Sequence, residues 1–315
     1  MTFKLYIKKF LIVSMVSILT VVLFNLYQNE FGLFGDSNGK NIRIYANQKT
    51  SKYLFSFNYI PDNFDGILVG ASYSNQMVDT QKLSNHYDIY NLSMDGANIS
   101  ELKVAIDNTI KYGDIKLFII CLSPYITKNN GIKSSQINPK EYYSSLGSIS
   151  NFKYYYKKYI DLEQGDKSEY YDSYWGYINN EQALKNTDST MEIDDYISDL
   201  KKTTGFKIHV DNIAYNELSQ TLSNIRNKGI QVIAYYHPFP KRLFNVKAYR
   251  ESYAGYKDKI DKLLDFKDDV VIDFNQTKYN YIRGYDDSYS DAGHLSKLGA
   301  NKIINVLKTH IGNLD

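Results

Sequence analysis

The chain has 315 residues, 43% hydrophobic and 15% aromatic, enough for one large domain or two small ones, which excludes a disordered protein. Its 37 basic residues nearly balance its 35 acidic ones, so nothing in the charge points to a nucleic-acid partner. The 31 tyrosines and 15 phenylalanines against one tryptophan carry no functional weight alone.

Lys4, Lys8 and Lys9 precede Phe10 to Tyr27, FLIVSMVSILTVVLFNLY, about eighteen residues with Asn25 as the single strongly polar position. That is long enough to span a bilayer. A cleaved signal peptide needs a shorter apolar region and a small-x-small site, and Asn25 to Phe31 offers none. The expectation is therefore a single-pass, uncleaved transmembrane anchor over 10–28, behind a cytoplasmic tail of residues 1–9. The lysines should keep that tail in the cytoplasm and send everything after about residue 30 outside the cell. Without those three lysines, 34 basic residues face 35 acidic ones, a formal charge of about −1 for the exported part.

Residues 29–61, rich in Asn, Lys, Ser and aromatics, read as a juxtamembrane stalk that packs onto the domain. They contain Gly35-Asp36-Ser37, which a search for serine esterases would catch. It follows the apolar span rather than a strand inside a βα unit and reads as an ordinary turn.

The main domain is expected over residues 62–315. Asp65 to Val69 is a short apolar run ending in Gly70, and Ser72 opens a polar segment able to start a helix. A serine there is commonly a helix N-cap. It also stands outside the carboxyl end of a strand, where open α/β sheets place ligands. Further strand-like runs occur at Asp88 to Leu92, Ile115 to Leu122, Ile230 to Tyr236 and Val270 to Phe274. Between them, Ile99, Leu102, Ala105, Ile106 and Ile110 recur at helical spacing, as do Ile213, Leu218, Leu222 and Ile225 before Gly229. Alternating strands and helices predict an α/β fold, a parallel sheet in a three-layer α/β/α domain.

Cys121 lies inside an apolar run and reads as a buried small hydrophobe rather than a disulfide partner or nucleophile. No Cys/His cluster has zinc-ligand spacing, so no metal is expected. About 123–206 intervene before the next core helix, too long for a structureless loop. A helical insertion near the carboxyl edge of the sheet is expected, either walling a substrate cleft or serving as a packing subdomain. His237, in YYHPFP at the end of the fourth strand, is a substrate-binding candidate or a structural turn residue. His86, His209 and His310 occupy surface-like segments. Asp286 and Asp287 read as turn residues in preference to partners of a cation.

The last block, YSDAGHLSKLGA, sets Asp291 three residues before His294, ahead of a helix beginning near Ser296. At that spacing the carboxylate can fix the imidazole tautomer, leaving the other nitrogen to deprotonate a hydroxyl. A serine is unreactive without such a base.

With Ser72 in VGASYSN, Gly96 in YNLSMDGAN, and Asp291 and His294 in DAGHLSKLGA, the chain resembles the SGNH (GDSL-like) hydrolases over about residues 60 to 312. The resemblance implies a flavodoxin-like domain with Ser72, Asp291 and His294 as catalytic residues. It also implies an oxyanion hole from the backbone amides of Ser72 and Gly96. The first block reads Gly-Ala-Ser in place of Gly-Asp-Ser, and the Gly-x-Asn-Asp block after the third strand is absent. Asn98 and Ser123 are the candidates for a further donor, and Ser123 also for substrate binding. An anchor, an outside domain and an altered first block look most like the cell-envelope branch: DltD-like proteins of D-alanine transfer to teichoic acids, and SGNH partners of polysaccharide O-acetylation. That implies an acyl-Ser72, an envelope glycan or teichoic acid as acceptor, a multispanning membrane O-acyltransferase as partner, and no cofactor. The alternative is a catalytically inert scaffold or glycan-binding protein of envelope polymer assembly. The missing Asn block favours it, and the intact Ser, Asp and His oppose it.

Overall fold

The computed structural model describes residues 3–29, 31–34, 48–128, 137, 140, 142, 145–163, 171–172, 174–178 and 188–314. Gly35-Asp36-Ser37 and the rest of 35–47 lie outside the described residues, as do most of 129–144 and all of 164–170 and 179–187 in the expected insertion.

Helix α1, Phe3–Gln28, is long and apolar enough to cross a membrane, with a mean hydropathy of 2.3 over its best window. Almost all of it is exposed except Asn25, which is buried. The Asn25 amide donates to the carbonyls of Leu146 (2.6 Å) and Ser148 (3.1 Å), just ahead of helix α6, Ile149–Glu163. The Phe24 ring lies against Phe152 and Tyr155 of α6.

Two short helices follow, α2 (Gln48–Phe55) and α3 (Tyr59–Asn63). Expected as the end of a stalk packing onto the domain, they place Tyr53, Leu54, Phe55, Tyr59 and Ile60 in the main hydrophobic core.

The sheet has five strands: β1 (Gly66–Val69), β2 (Ile89–Asn91), β3 (Leu117–Leu122), β6 (Gln231–Tyr236) and β7 (Val270–Asp273). Their order is β2-β1-β3-β6-β7, and every pairing is parallel. Such strands are buried on both faces and read as continuous apolar runs, and every residue of β1 and β3 is buried. Alternate side chains supply two cores. Ile67, Val69, Phe118, Ile120, Leu122, Val232 and Ala234 face one, Leu68, Leu117, Ile119, Cys121 and Ile233 the other.

Helices α5 (Ile99–Tyr112), α8 (Asn212–Asn227) and α9 (Lys247–Asp261) cover the first face. After the single turn α10 (Asn280–Arg283), helix α11 (Lys297–Ile311) covers the second with Ile303, Ile304, Leu307 and Ile311, each worth roughly 1.5–3 kcal/mol of burial. The alternation of strand and helix lapses once. Between β1 and β2 stand only the single turn α4 (Ser72–Asn75) and a 3-10 turn, Thr80–Lys82, so the C-terminal helix takes the face that a β1–β2 crossover helix would otherwise cover. The insertion holds α6, a two-stranded pairing of β4 (Tyr171–Asp172) with β5 (Tyr177–Ile178), and α7 (Ser189–Lys202). It is stitched to the core: Trp175 O accepts the Asn91 N–H, Ile178 O accepts the Met77 N–H, and Ile193 enters the second core.

Replacing Ile303, which is fully buried, by Ala should cost about 2–5 kcal/mol through the cavity it leaves. Ile213→Ala, at a position 56% exposed on α8, should stay within about 0.5 kcal/mol. Chemical denaturation of the full chain measures both, and equal costs would contradict the packing of α11.

Candidate active site

Because the strands are parallel, the residues leaving them gather at one edge of the sheet. Ser72 leaves β1 through Gly70, where there is no room for a side chain: a Cβ would overlap Ser74 Oγ and lie 2.9 Å from Cys121 Cβ. Ala71 occupies the N-cap position of α4. Ser72 itself is not used as a cap, and its half-buried hydroxyl is free for another partner.

That partner is His294, whose Nε2 lies 2.8 Å from Ser72 Oγ. Its Nδ1 lies 2.7 Å from Asp291 Oδ2. The other carboxylate oxygen, Oδ1, accepts the backbone N–H groups of Gly293 and His294, each at 2.7 Å. Burial alone would raise the Asp291 carboxyl, but the His294 imidazole and these two N–H groups outweigh it and hold its pKa below the usual range. Asp291 therefore stays ionised and fixes the proton of His294 on Nδ1, leaving Nε2 as an acceptor toward the serine. A serine, a base and an orienting carboxylate in hydrogen-bond contact form an activated-nucleophile arrangement.

The remaining expected site residues fall out differently. Gly96 sits at the exposed turn before α5 with φ +62, a conformation that favours glycine. Among the described residues, neither its N–H nor that of Ser72 has a hydrogen-bond acceptor. Asn98 is fully buried and caps α5: its side chain accepts the Glu101 N–H while Glu101 accepts the Asn98 N–H. That gives it a structural role in place of the expected oxyanion donor. Ser123, at the end of β3, is fully buried, so the expected substrate contact is closed to it.

His237, expected as a substrate contact or a structural turn residue, is also fully buried and contacts the turn of Asp291 and His294. Its Nε2 lies 2.7 Å from the Gly293 carbonyl, and its ring stacks on Tyr73 at 4.5 Å. The same Tyr73 lies 4.8 Å from the ring of His294. Burial pulls the pKa of His237 down to about 3, against the raising effect of the Gly293 carbonyl. The neutral imidazole thus donates from Nε2 and pins the turn that carries Asp291 and His294. Asn275 secures the loop in turn, accepting the Phe239 N–H and donating to the His237 carbonyl at 2.8 Å. Asp286 pairs with Arg242 at 2.7 Å, and Arg242 also reaches Asp194 of α7. This ties the insertion to the segment preceding the Asp291–His294 turn. Cys121 is buried, its thiol pushed up to about 12 by burial.

Sequence reading missed Tyr73, the residue after the serine, and Lys52 of α2, which is fully buried. The signal for Lys52 was slight: a lysine set in the aromatic run Tyr53, Leu54, Phe55. No protein-family model and no curated protein matches this chain.

His237 makes stability depend on acid. Its folded value of about 3 lies below the free imidazole's 6.5, so between the two the unfolded chain binds more protons and stability falls as pH falls. The urea midpoint of the full chain should drop between about pH 6.5 and pH 4. His237→Gln keeps an N–H for Gly293 but does not titrate, and should flatten that slope. An unchanged slope would show that another group carries it.

Proposed function

We propose that the chain is a membrane-anchored serine acyl-ester hydrolase or acyltransferase of the SGNH type. It works through an acyl-Ser72 intermediate on an envelope polysaccharide or teichoic acid outside the cell. The observation that carries this reading is the unbroken hydrogen-bond chain Ser72–His294–Asp291, formed by residues far apart in sequence. The sheet order supports the fold assignment: counted along the sheet's own strands it is 2-1-3-4-5, the order of flavodoxin-like sheets, whose ligands bind outside the carboxyl ends of the strands.

His294 Nε2 takes the proton of Ser72 as Oγ attacks the acyl carbonyl carbon. The backbone N–H groups of Ser72 and Gly96 hold the oxyanion of the tetrahedral intermediate. His294 then returns the proton to the leaving oxygen, and the acyl group stays on Ser72. In the second half, His294 deprotonates water or a glycan hydroxyl, which attacks the acyl-serine and releases an acid or a new ester. Asp291 stays ionised throughout and stabilises the imidazolium.

Anchoring by α1 is supported by its clamp on α6. Removal of α1 as a signal sequence would strip the Leu146 and Ser148 carbonyls of the Asn25 amide and bare the rings of Phe152 and Tyr155. Each orphaned polar group costs about 1–3 kcal/mol if it stays out of water. Intact mass of the protein recovered from membranes should therefore include α1; a mass beginning after residue 28 would overturn the anchor.

A fluorophosphonate probe should label Ser72 in the full chain, with the site read by mass spectrometry of the labelled peptide. Ser72→Ala and His294→Ala should abolish labelling, and Asp291→Asn should slow it by about 10³–10⁴-fold. A wild-type chain that neither takes the label nor cleaves p-nitrophenyl acetate would turn the reading toward the inert scaffold.

A further inference from the structure

Helix α2 presents polar side chains to the turn between β2 and α5. Gln48 Oε1 accepts the Asp95 N–H at 2.9 Å, and Lys49 pairs with Glu101 at 2.9 Å. Lys52 goes deepest. Its Nζ donates to Asn75 Oδ1 and the Asn91 carbonyl, both at 2.8 Å, and to the Ser93 carbonyl. Asn75 ends α4, the helix that Ser72 begins, and its Nδ2 donates to Asp95 Oδ1 at 2.9 Å. One ammonium therefore joins the turn of Ser72 to the turn of Gly96.

A buried ammonium is strongly unfavourable unless its hydrogens are all used. Here three hydrogens meet three acceptors. Burial pushes the pKa of Lys52 well below that of a free lysine, with Asp95 acting the other way. Packing alone does not explain the residue, since a methionine would fill the same space without the desolvation cost. Closing the sheet edge explains the Asn91 and Ser93 carbonyls, which face away from β1. It leaves the bond to the Asn75 side chain unexplained.

We propose that Lys52 is a positioning residue of the Ser72 site. Its ammonium holds α4 and residues 93–96 in fixed relation, so that the N–H groups of Ser72 and Gly96 converge on one acyl oxygen. The role in acyl transfer rests on the reading of Ser72 as the nucleophile. The fixation of the two segments stands on the hydrogen bonds alone. The segment between the membrane helix and the first strand is then part of the active site.

The test uses the full chain in nanodiscs, with wild type, Lys52→Met, Asn75→Ala, and Ile303→Ala as a control that weakens the core away from this network. In Lys52→Met, amide exchange over 72–76 and 93–97 should speed by about tenfold or more while β3 and β6 keep their protection. Fluorophosphonate labelling of Ser72, compared at equal folded fraction, should slow by about a hundredfold. Asn75→Ala keeps the edge contacts of Lys52 and should slow labelling similarly, which decides the matter if Lys52→Met does not fold. Ile303→Ala should do neither. A folded Lys52→Met with wild-type exchange in both segments, or an Asn75→Ala chain labelled at the wild-type rate, overturns the proposal. A wild-type chain that takes no label instead removes the nucleophile reading, and the exchange data still decide whether Lys52 fixes the two turns.

Discussion

All five strands point the same way, and that constraint brings the site together. In a parallel sheet every strand delivers its following residue to the same edge. Ser72 after β1, Gly96 beyond β2, His237 after β6 and Asn275 after β7 are thus neighbours of one rim. The serine and the histidine that bonds it are 222 positions apart. Their 2.8 Å contact depends on the register of the whole sheet.

The rim is built from two locally wired pieces. One is the Asp291–His294 turn, where a single carboxylate receives two backbone N–H groups and the imidazole. It is held from behind by His237 through the Gly293 carbonyl. The other is α4 with the turn after β2, joined through Asn75, Asp95 and the ammonium of Lys52. Tyr73 fills the space between them, with His237 on one side and His294 near the other. Main-chain carbonyls take part in both pieces, those of Asn91 and Ser93 accepting from Lys52 and that of Gly293 from His237, which ties loop backbone directly to buried side chains.

The strands and the Asp291–His294 turn were legible in the amino-acid sequence for physical reasons. Strands buried on both faces must be continuously apolar, and β1, β3 and, after Gln231, β6 are. Asp291 and His294 lie three residues apart, within reach of each other on one turn. What escaped reading was set by partners that leave no pattern. Lys52 is chosen by two main-chain carbonyls and an amide 23 to 41 positions away, and a lysine in a short polar helix otherwise reads as solvent-facing. His237, ending a strand beside two prolines, read equally as a substrate contact or a turn residue. Its actual partner, the carbonyl of Gly293, could belong to any residue type. Asn98 looked like a donor near the site, yet Glu101 three positions on is the mark of a capping box. The missing helix between β1 and β2 showed only as a shortage of apolar spacing there.

Strand β2 is one of the sheet's two outer strands, and outer strands are where folded chains stick to one another, since an open ladder of N–H and carbonyl groups accepts any extended neighbour. Here that ladder is closed by one chain segment and one side chain: Trp175 O takes the Asn91 N–H, and Lys52 takes the carbonyls on either side of Leu92. Both caps come from outside the sheet, one from the insertion and one from helix α2. A chain emerging during synthesis acquires the lysine before β2 exists but the tryptophan only some eighty residues after it. Until then half of that edge stands open, and self-association of the nascent domain is the hazard that the fold must outrun.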